Sequence, residues 1–277
     1  MDGQVKYIGK ASMYDFYFEG RCVKFLKDQS YCTLPLQNCR ELVQSSNFVP
    51  SPETYELLKP FYFGYKNVKL EDSLKGEDCF IVGGGASLKG FDFSQLDGKY
   101  TITINHSIFY YPNSKAILFI DRKFIKENNF EAEIFLRKYK GIVFSAFRTK
   151  YFLESNRSDN VYSFSLNNTA PQEKYYDGLY HSRSSGLAAV NLALIMKARR
   201  IYLLGFDYDY EAPTKHFYNS NGEDKYKNEI SYVKPRCNSV VGMFQAYLPY
   251  KDRIINCNPE SRLPYFIKKP LKEIFPC

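Results

Sequence analysis

Three glycines, Gly83, Gly84 and Gly85, follow the apolar run Cys79-Phe80-Ile81-Val82 and precede Ala86-Ser87-Leu88. Residues without a Cβ let the backbone turn sharply and approach a ligand closely. Ser87 is placed to cap a short helical turn, whose free N–H groups would lie beside the glycines and hold a phosphate. The lysine of a P-loop is absent. Leu88 stands where a dinucleotide G-x-G-x-x-G needs its last glycine, so both of those phosphate motifs are excluded. A tight strand-to-loop turn with no ligand satisfies the same residues.

Four further groups have side chains suited to chemistry. Asn105 ends Thr101-Ile102-Thr103-Ile104, and its carboxamide can donate to and accept from a base or ribose, or simply form a turn. Asp121 ends Ile117-Leu118-Phe119-Ile120 and is suited to a metal, a ribose or a helix cap. His181-Ser182-Arg183-Ser184-Ser185-Gly186 opens a helical pattern, where small residues at a helix N-terminus make either an anion site or plain capping. Asp207-Tyr208-Asp209-Tyr210 follows another apolar run, with His216-Phe217-Tyr218 shortly after. His216, on a polar loop, is a candidate general base. Asp207 and Asp209 are suited to a divalent ion, and Asp207 equally to holding the loop through backbone N–H groups. No G-x-S-x-G elbow and no nucleic-acid motif is present.

The elements that must carry these groups alternate between strand and helix. Strands are expected at Cys79–Val82, Tyr100–Asn105, Ala116–Asp121, Gly141–Ser145, Val161–Leu166, Arg200–Asp207 and Arg253–Asn258. Several are continuous apolar runs, as strands buried on both faces require. The clearest helix runs from Ser184 to Lys197, with Leu187, Val190, Leu194 and Ala198 on one face. This alternation predicts an α/β domain with a doubly wound, mostly parallel sheet over residues 77–277. In such sheets ligands gather at the carboxyl ends of strands, where Gly83–Gly85, Asn105, Asp121 and Gly205–Asp207 all fall. Residues 1–50 read instead as short strands between turns, a small β-rich appendage with little core of its own. Residues 51–76 read as a helical linker, marked at its start by Pro50 and Pro52.

The formal net charge of the 277 residues is +8, which suits an anionic ligand or a solvated basic surface. The lysines are dispersed, which argues against nucleic acid. Seven cysteines occur without a C-x-x-C pair. That disfavours zinc and fits a reducing, cytoplasmic setting. No segment approaches the length of about 20 apolar residues that spans a bilayer.

The set Val82-Gly83-Gly84-Gly85-Ala86-Ser87-Leu88, Thr103-Ile104-Asn105, Ser184-Ser185-Gly186, Leu204-Gly205-Phe206-Asp207 and downstream His216 resembles the small bacterial sialyltransferases that use CMP-sialic acid. It is also similar to a broader, often phage-encoded glycosyltransferase-like group, and to archaeal pterin pyrophosphokinase-like proteins. The resemblance spans about residues 78–260. It implies a single Rossmann-like, GT-A-like nucleotide-binding domain and metal-independent transfer from a CMP-type nucleotide sugar to a hydroxyl-bearing acceptor, with no cofactor. Under it Gly83, Gly84, Gly85, Ser87 and Asn105 contact the nucleotide; Asp121 and Asp207, at neighbouring strand ends, are further candidates to bind it. Ser184, Ser185 and Gly186 sit near sugar and phosphate, and His216 takes the acceptor proton. The chain departs from the family's pattern at two positions. Gly84 replaces a frequent asparagine, and the family's phosphate-binding tyrosine falls at Asp209, leaving Tyr208, Tyr210 or Tyr218 to substitute. Two other functions stay open. One is a non-catalytic structural protein, as of a phage virion, assembling with itself or a partner through the β appendage. The other is a Mg²⁺-dependent pyrophosphokinase-like enzyme using Asp121 or Asp207.

Overall fold

The computed structural model describes residues 2–7, 13–18, 21–26, 31–35, 38–39, 42, 48–51, 53–54, 70–121, 124, 131–146, 161–164, 166–173, 178–182, 184–209, 211, 216–218 and 230–276. The chain divides into two compact units, Met1–Asn67 and Val68–Cys277.

In the first unit, β1 (Asp2–Tyr7) pairs antiparallel with β4 (Cys32–Pro35) and with β5 (Phe48–Pro50), while β2 (Met13–Phe18) and β3 (Arg21–Leu26) form a hairpin. The period-two pattern turns alternate side chains inward. Val5, Tyr7, Phe16, Phe25, Leu34, Cys39, Leu42 and Phe48 bury one cluster. The appendage therefore has a core of its own, against the expectation from its length, because aromatic rings bury large areas per residue. Of the expected helical linker, residues 53–54 are helical, 55–69 lie outside the described residues, and 70–76 are mostly turns.

The second unit is built on eight parallel strands. They are β6 (Asp78–Val82), β7 (Tyr100–Ile104), β8 (Ala116–Phe119), β9 (Ile142–Ser145), β10 (Val161–Ser163), β13 (Arg200–Leu204), β14 (Ile254–Asn256) and β15 (Ile267–Lys268). Their order is β10-β9-β8-β7-β6-β13-β14-β15, and every neighbouring pair runs parallel. This is the doubly wound, Rossmann-like α/β fold expected from the sequence. A two-residue parallel pair, β11 (Leu166–Asn167) with β12 (Leu179–Tyr180), stands apart from the main sheet. The unit's helices include α1 (Glu131–Lys138), α2 (Ser185–Ile195), α3 (Ile230–Met243) and α4 (Leu271–Ile274).

The last four residues of both β6 and β13 are buried, which is why both read as unbroken apolar runs. Phe80 stacks on Tyr202 at 4.7 Å, within a cluster that includes Val82, Leu88, Leu204, Ile255, Cys257 and Phe275. The sequence places one apolar face on α2, but all eleven of its residues are buried. It packs against β6, β7 and β8 and also against β12, and the Tyr247 hydroxyl donates to Leu187 O at 2.7 Å. Buried Asn191, inside that helix, accepts from the Tyr180 and Gln172 N–H groups and donates to Gln172 O.

From β6 the chain winds outward through β10, then returns to β13 on the other side of β6. The β6/β13 boundary is thus the topological switch point, where the crevice of an open α/β sheet takes its ligand.

Candidate functional site

Both loops that leave the switch point are held tightly. The Gly83 N–H donates to Leu204 O at 2.7 Å and the Gly85 N–H to Gly205 O at 2.9 Å, so the glycine loop continues the pairing of β6 with β13. A Cβ on Gly83 would stand 2.7 Å from Gly205 O, closer than packed atoms tolerate, so only glycine fits. Gly205 itself has φ +69°, a left-handed conformation that glycine adopts without penalty. Ser107, in the turn after β7, donates its hydroxyl to Gly83 O at 2.7 Å.

Asp207 closes this structure from the β13 side. Its carboxylate accepts from the Ser87 N–H at 2.7 Å, the Ser87 hydroxyl at 2.5 Å and Asn258 Nδ2 at 2.9 Å. A Cβ on Gly85 would lie 2.5 Å from that carboxyl group. Ser87 therefore does not cap a helix. The turn Ala86–Leu88 is 3₁₀, its N-cap position is Gly85, and no side chain caps it. The hydroxyl donates instead to Asp207, a charge-assisted bond stronger than one between neutral groups. Asp207 takes the loop-holding arrangement, with donors from Ser87 and Asn258. The same loop is tied to the end of β14 and the segment after it, where Asn256 Nδ2 and Ser261 Oγ donate to Phe206 O and the Arg262 N–H donates to Asp207 O.

On the outer side of the glycine loop lies the segment 216–218. The Phe217 N–H donates to Gly84 O at 3.0 Å, and His216 bridges Gly85 as an added antiparallel residue. His216 Nδ1 lies 3.3 Å from Gly84 O. A carbonyl oxygen only accepts, so a hydrogen bond here calls for a proton on Nδ1. The imidazole stacks on Tyr218 at 5.0 Å and 5°, and Tyr218 stacks on Tyr110 at 5.5 Å. His106 approaches the far side of this group, 6.0 Å from Tyr218.

The buried Phe206 ring joins the glycine loop to α2. Its Cδ2 lies 3.3 Å from a Cβ built on Gly83, and its opposite Cε1 lies 2.9 Å from one built on Gly186. The N-terminus of α2 follows. Ser184 occupies the N-cap position without a capping bond from its side chain. Its hydroxyl instead bonds the Tyr208 phenol. Tyr208 has φ +53°, which a non-glycine residue adopts only at a cost. The turn brings its hydroxyl within 3.2 Å of the Cβ position of Gly186. Burial raises the phenol's pKa, against the opposing bond from Ser184, so the group stays a proton donor at neutral pH.

The candidates thus fall into two joined groups. Gly83, Gly84, Gly85, Ser87, Asp207 and His216 form one; Ser184, Ser185, Gly186 and Tyr208 form the other. Asn105 begins the turn after β7 with φ +50°, and its Oδ1 is buried with no hydrogen-bond partner among the described residues. Asp121 follows β8, one strand further from the switch point than β7, and is exposed. Tyr210 lies outside the described residues. Asp209 turns away to Arg262 Nε at 3.0 Å. Ser107, Tyr110 and Asn258 escaped the sequence reading. Asn258 was within reach of it, since it follows β14 at the same edge of the sheet. Among the described residues, no three His, Cys, Asp or Glu side chains converge as a metal site would require, and no helix is long and apolar enough to cross a membrane.

No protein-family model matches this chain, and no curated protein does. Among solved structures, it is similar to the sialyltransferase CST-II in complex with a trisaccharide acceptor and CMP, with 16% identity, 70% of this chain and 86% of that chain covered, and a TM-score of 0.43.

Proposed function

We propose that this protein is a sialyltransferase-like glycosyltransferase that moves a sugar from a CMP-type nucleotide to an acceptor hydroxyl. The observation that carries the reading is His216, with Nδ1 against Gly84 O at the switch point. That contact holds an imidazole at the strand ends, and imidazole is the side chain best suited to take a proton near neutral pH. As the acceptor oxygen bonds to the anomeric carbon, the bond from that carbon to the donor phosphate oxygen breaks. The acceptor proton passes to His216, and the nucleotide monophosphate leaves with the electron pair. Its negative charge is met by the Tyr208 and Ser184 hydroxyls and the N-terminus of α2, which together supply charge stabilisation without a metal. The unpartnered Oδ1 of Asn105 supplies an acceptor for a base amine or a ribose hydroxyl.

The test is a nucleotide panel read by thermal shift, followed by turnover. CMP should raise Tm without added metal, and His216→Ala should lower turnover by roughly 10²–10⁴-fold with nucleotide affinity retained. Unchanged turnover would remove His216 from the mechanism. Stabilisation by ATP with Mg²⁺ instead of CMP would favour a pyrophosphokinase. No response to any nucleotide, together with a stable oligomer, would favour an assembly protein.

A further inference from the structure

We infer that Gly84 is a positioning residue for His216: the side chain it lacks is the space in which the imidazole is held. The inference rests on the assignment of His216 as the base. Gly84 is not among the residues with positive φ, so its backbone is open to any L-residue and the glycine is not required by the turn. What requires it is proximity. A Cβ at position 84 would stand 2.9 Å from His216 Nδ1, 3.2 Å from the Tyr218 hydroxyl and 3.3 Å from Tyr218 Cε1. The first contact is shorter than van der Waals packing permits, and it falls on the nitrogen that faces Gly84 O. Nor can the ring tilt freely. It is stacked at 5° on Tyr218, which is stacked in turn on Tyr110, and its backbone is fixed by the bridge to Gly85 and the Phe217–Gly84 bond. In this chain a Cβ at 84 pushes the imidazole off Gly84 O, which removes the contact that calls for a proton on Nδ1. Glycine thus serves here to admit a catalytic ring, whereas Gly205 serves to make a turn.

The experiment follows His216 directly. Two-bond ¹H–¹⁵N correlation spectra resolve the three imidazoles, with His216 assigned by its loss in His216→Gln. In the native protein, above the pH at which the ring titrates, His216 should be protonated at Nδ1. In Gly84→Ala it should shift toward a mixture of tautomers, while the Gly242→Ala control, whose added Cβ meets nothing within 4 Å, leaves it unchanged. An unaltered His216 spectrum in Gly84→Ala would overturn the inference. A melting cycle gives a second readout that does not need the single variant to be well folded. Gly84→Ala alone should lower Tm by roughly 2–8 °C, and should lower it much less when added to His216→Ala. Equal losses in both backgrounds would also refute it. Neither measurement uses a substrate. Absence of glycosyl transfer by the native protein would therefore sink the proposed reaction and leave this geometry standing.

Discussion

Asp207→Asn separates a loop clamp from a nucleotide ligand. The native carboxylate accepts three hydrogen bonds, two from Ser87 and one from Asn258, at 2.5–2.9 Å. Asparagine keeps the size but offers one oxygen and one NH₂. If its oxygen faces the Ser87 N–H, its amide opposes the Ser87 hydroxyl and Asn258 Nδ2; if it is flipped, the amide opposes the Ser87 N–H. Hydrogen bonds to a charged acceptor are worth about 1.5–3 kcal/mol each, less where solvent reaches them. The site is partly exposed and the three bonds are not additive, so the expected loss is about 2–3 kcal/mol. For a unit of this size that is a fall of roughly 5–10 °C in Tm. Ser87→Ala should cost about 1 kcal/mol alone and far less in the Asp207→Asn background, since its partner is already spoiled. Urea unfolding of the four proteins measures the coupling, and CMP titration at a temperature where all are folded measures affinity. A clamp predicts coupled stability losses with CMP affinity changed only modestly. Native-like stability with abolished CMP binding would refute the clamp and make Asp207 a direct ligand.

Phe206→Ala should destabilise by about 3–5 kcal/mol, because the ring fills the space between Gly83 and Gly186; a loss under about 1 kcal/mol on urea unfolding would show that the two loops do not depend on it. Stability should also fall in alkali. Burial raises the Cys257 thiol from its ordinary 9.0 to about 12, and burial followed by the bond to Asp97 raises the Tyr111 phenol from 10.0 to about 12. Both folded values exceed the unfolded ones, so the full contribution is present below about pH 9 and is lost as the pH rises toward 12, at about 1.4 kcal/mol per pH unit per group. Urea midpoints measured between about pH 8 and pH 11 should decline over that window, with a shallower decline in Cys257→Ala; a flat profile would contradict the assignment.

The strands of the main sheet were readable because a strand buried on both faces must be apolar throughout, and that signature is local. Ile201-Tyr202-Leu203-Leu204 and Cys79-Phe80-Ile81-Val82 show it most plainly. Two-residue β15 and three-residue β5 are too short to leave such a trace. The all-round burial of α2 was equally hidden, because its outer face is covered by β12 and Tyr247, partners that its own periodicity does not name.

The chain by itself determined where chemistry could occur: glycines, Asn105 and Asp207 at strand ends, Ser184–Gly186 opening a helix, and His216 on a loop. It could not decide what each group faces. Ser87 has a local role open to it as a cap, and loses that role to a carboxylate 120 residues away. Gly84 reads as a turn residue, yet its function is to make room for a ring 132 residues away. Tyr208, and not its neighbour Asp209, reaches α2 because a positive φ turns it there. Backbone conformation and apolar burial are written in short windows of sequence. Hydrogen-bond partners and steric vacancies exist only between segments, and the sheet order that brings β6 beside β13 is what brings those segments together.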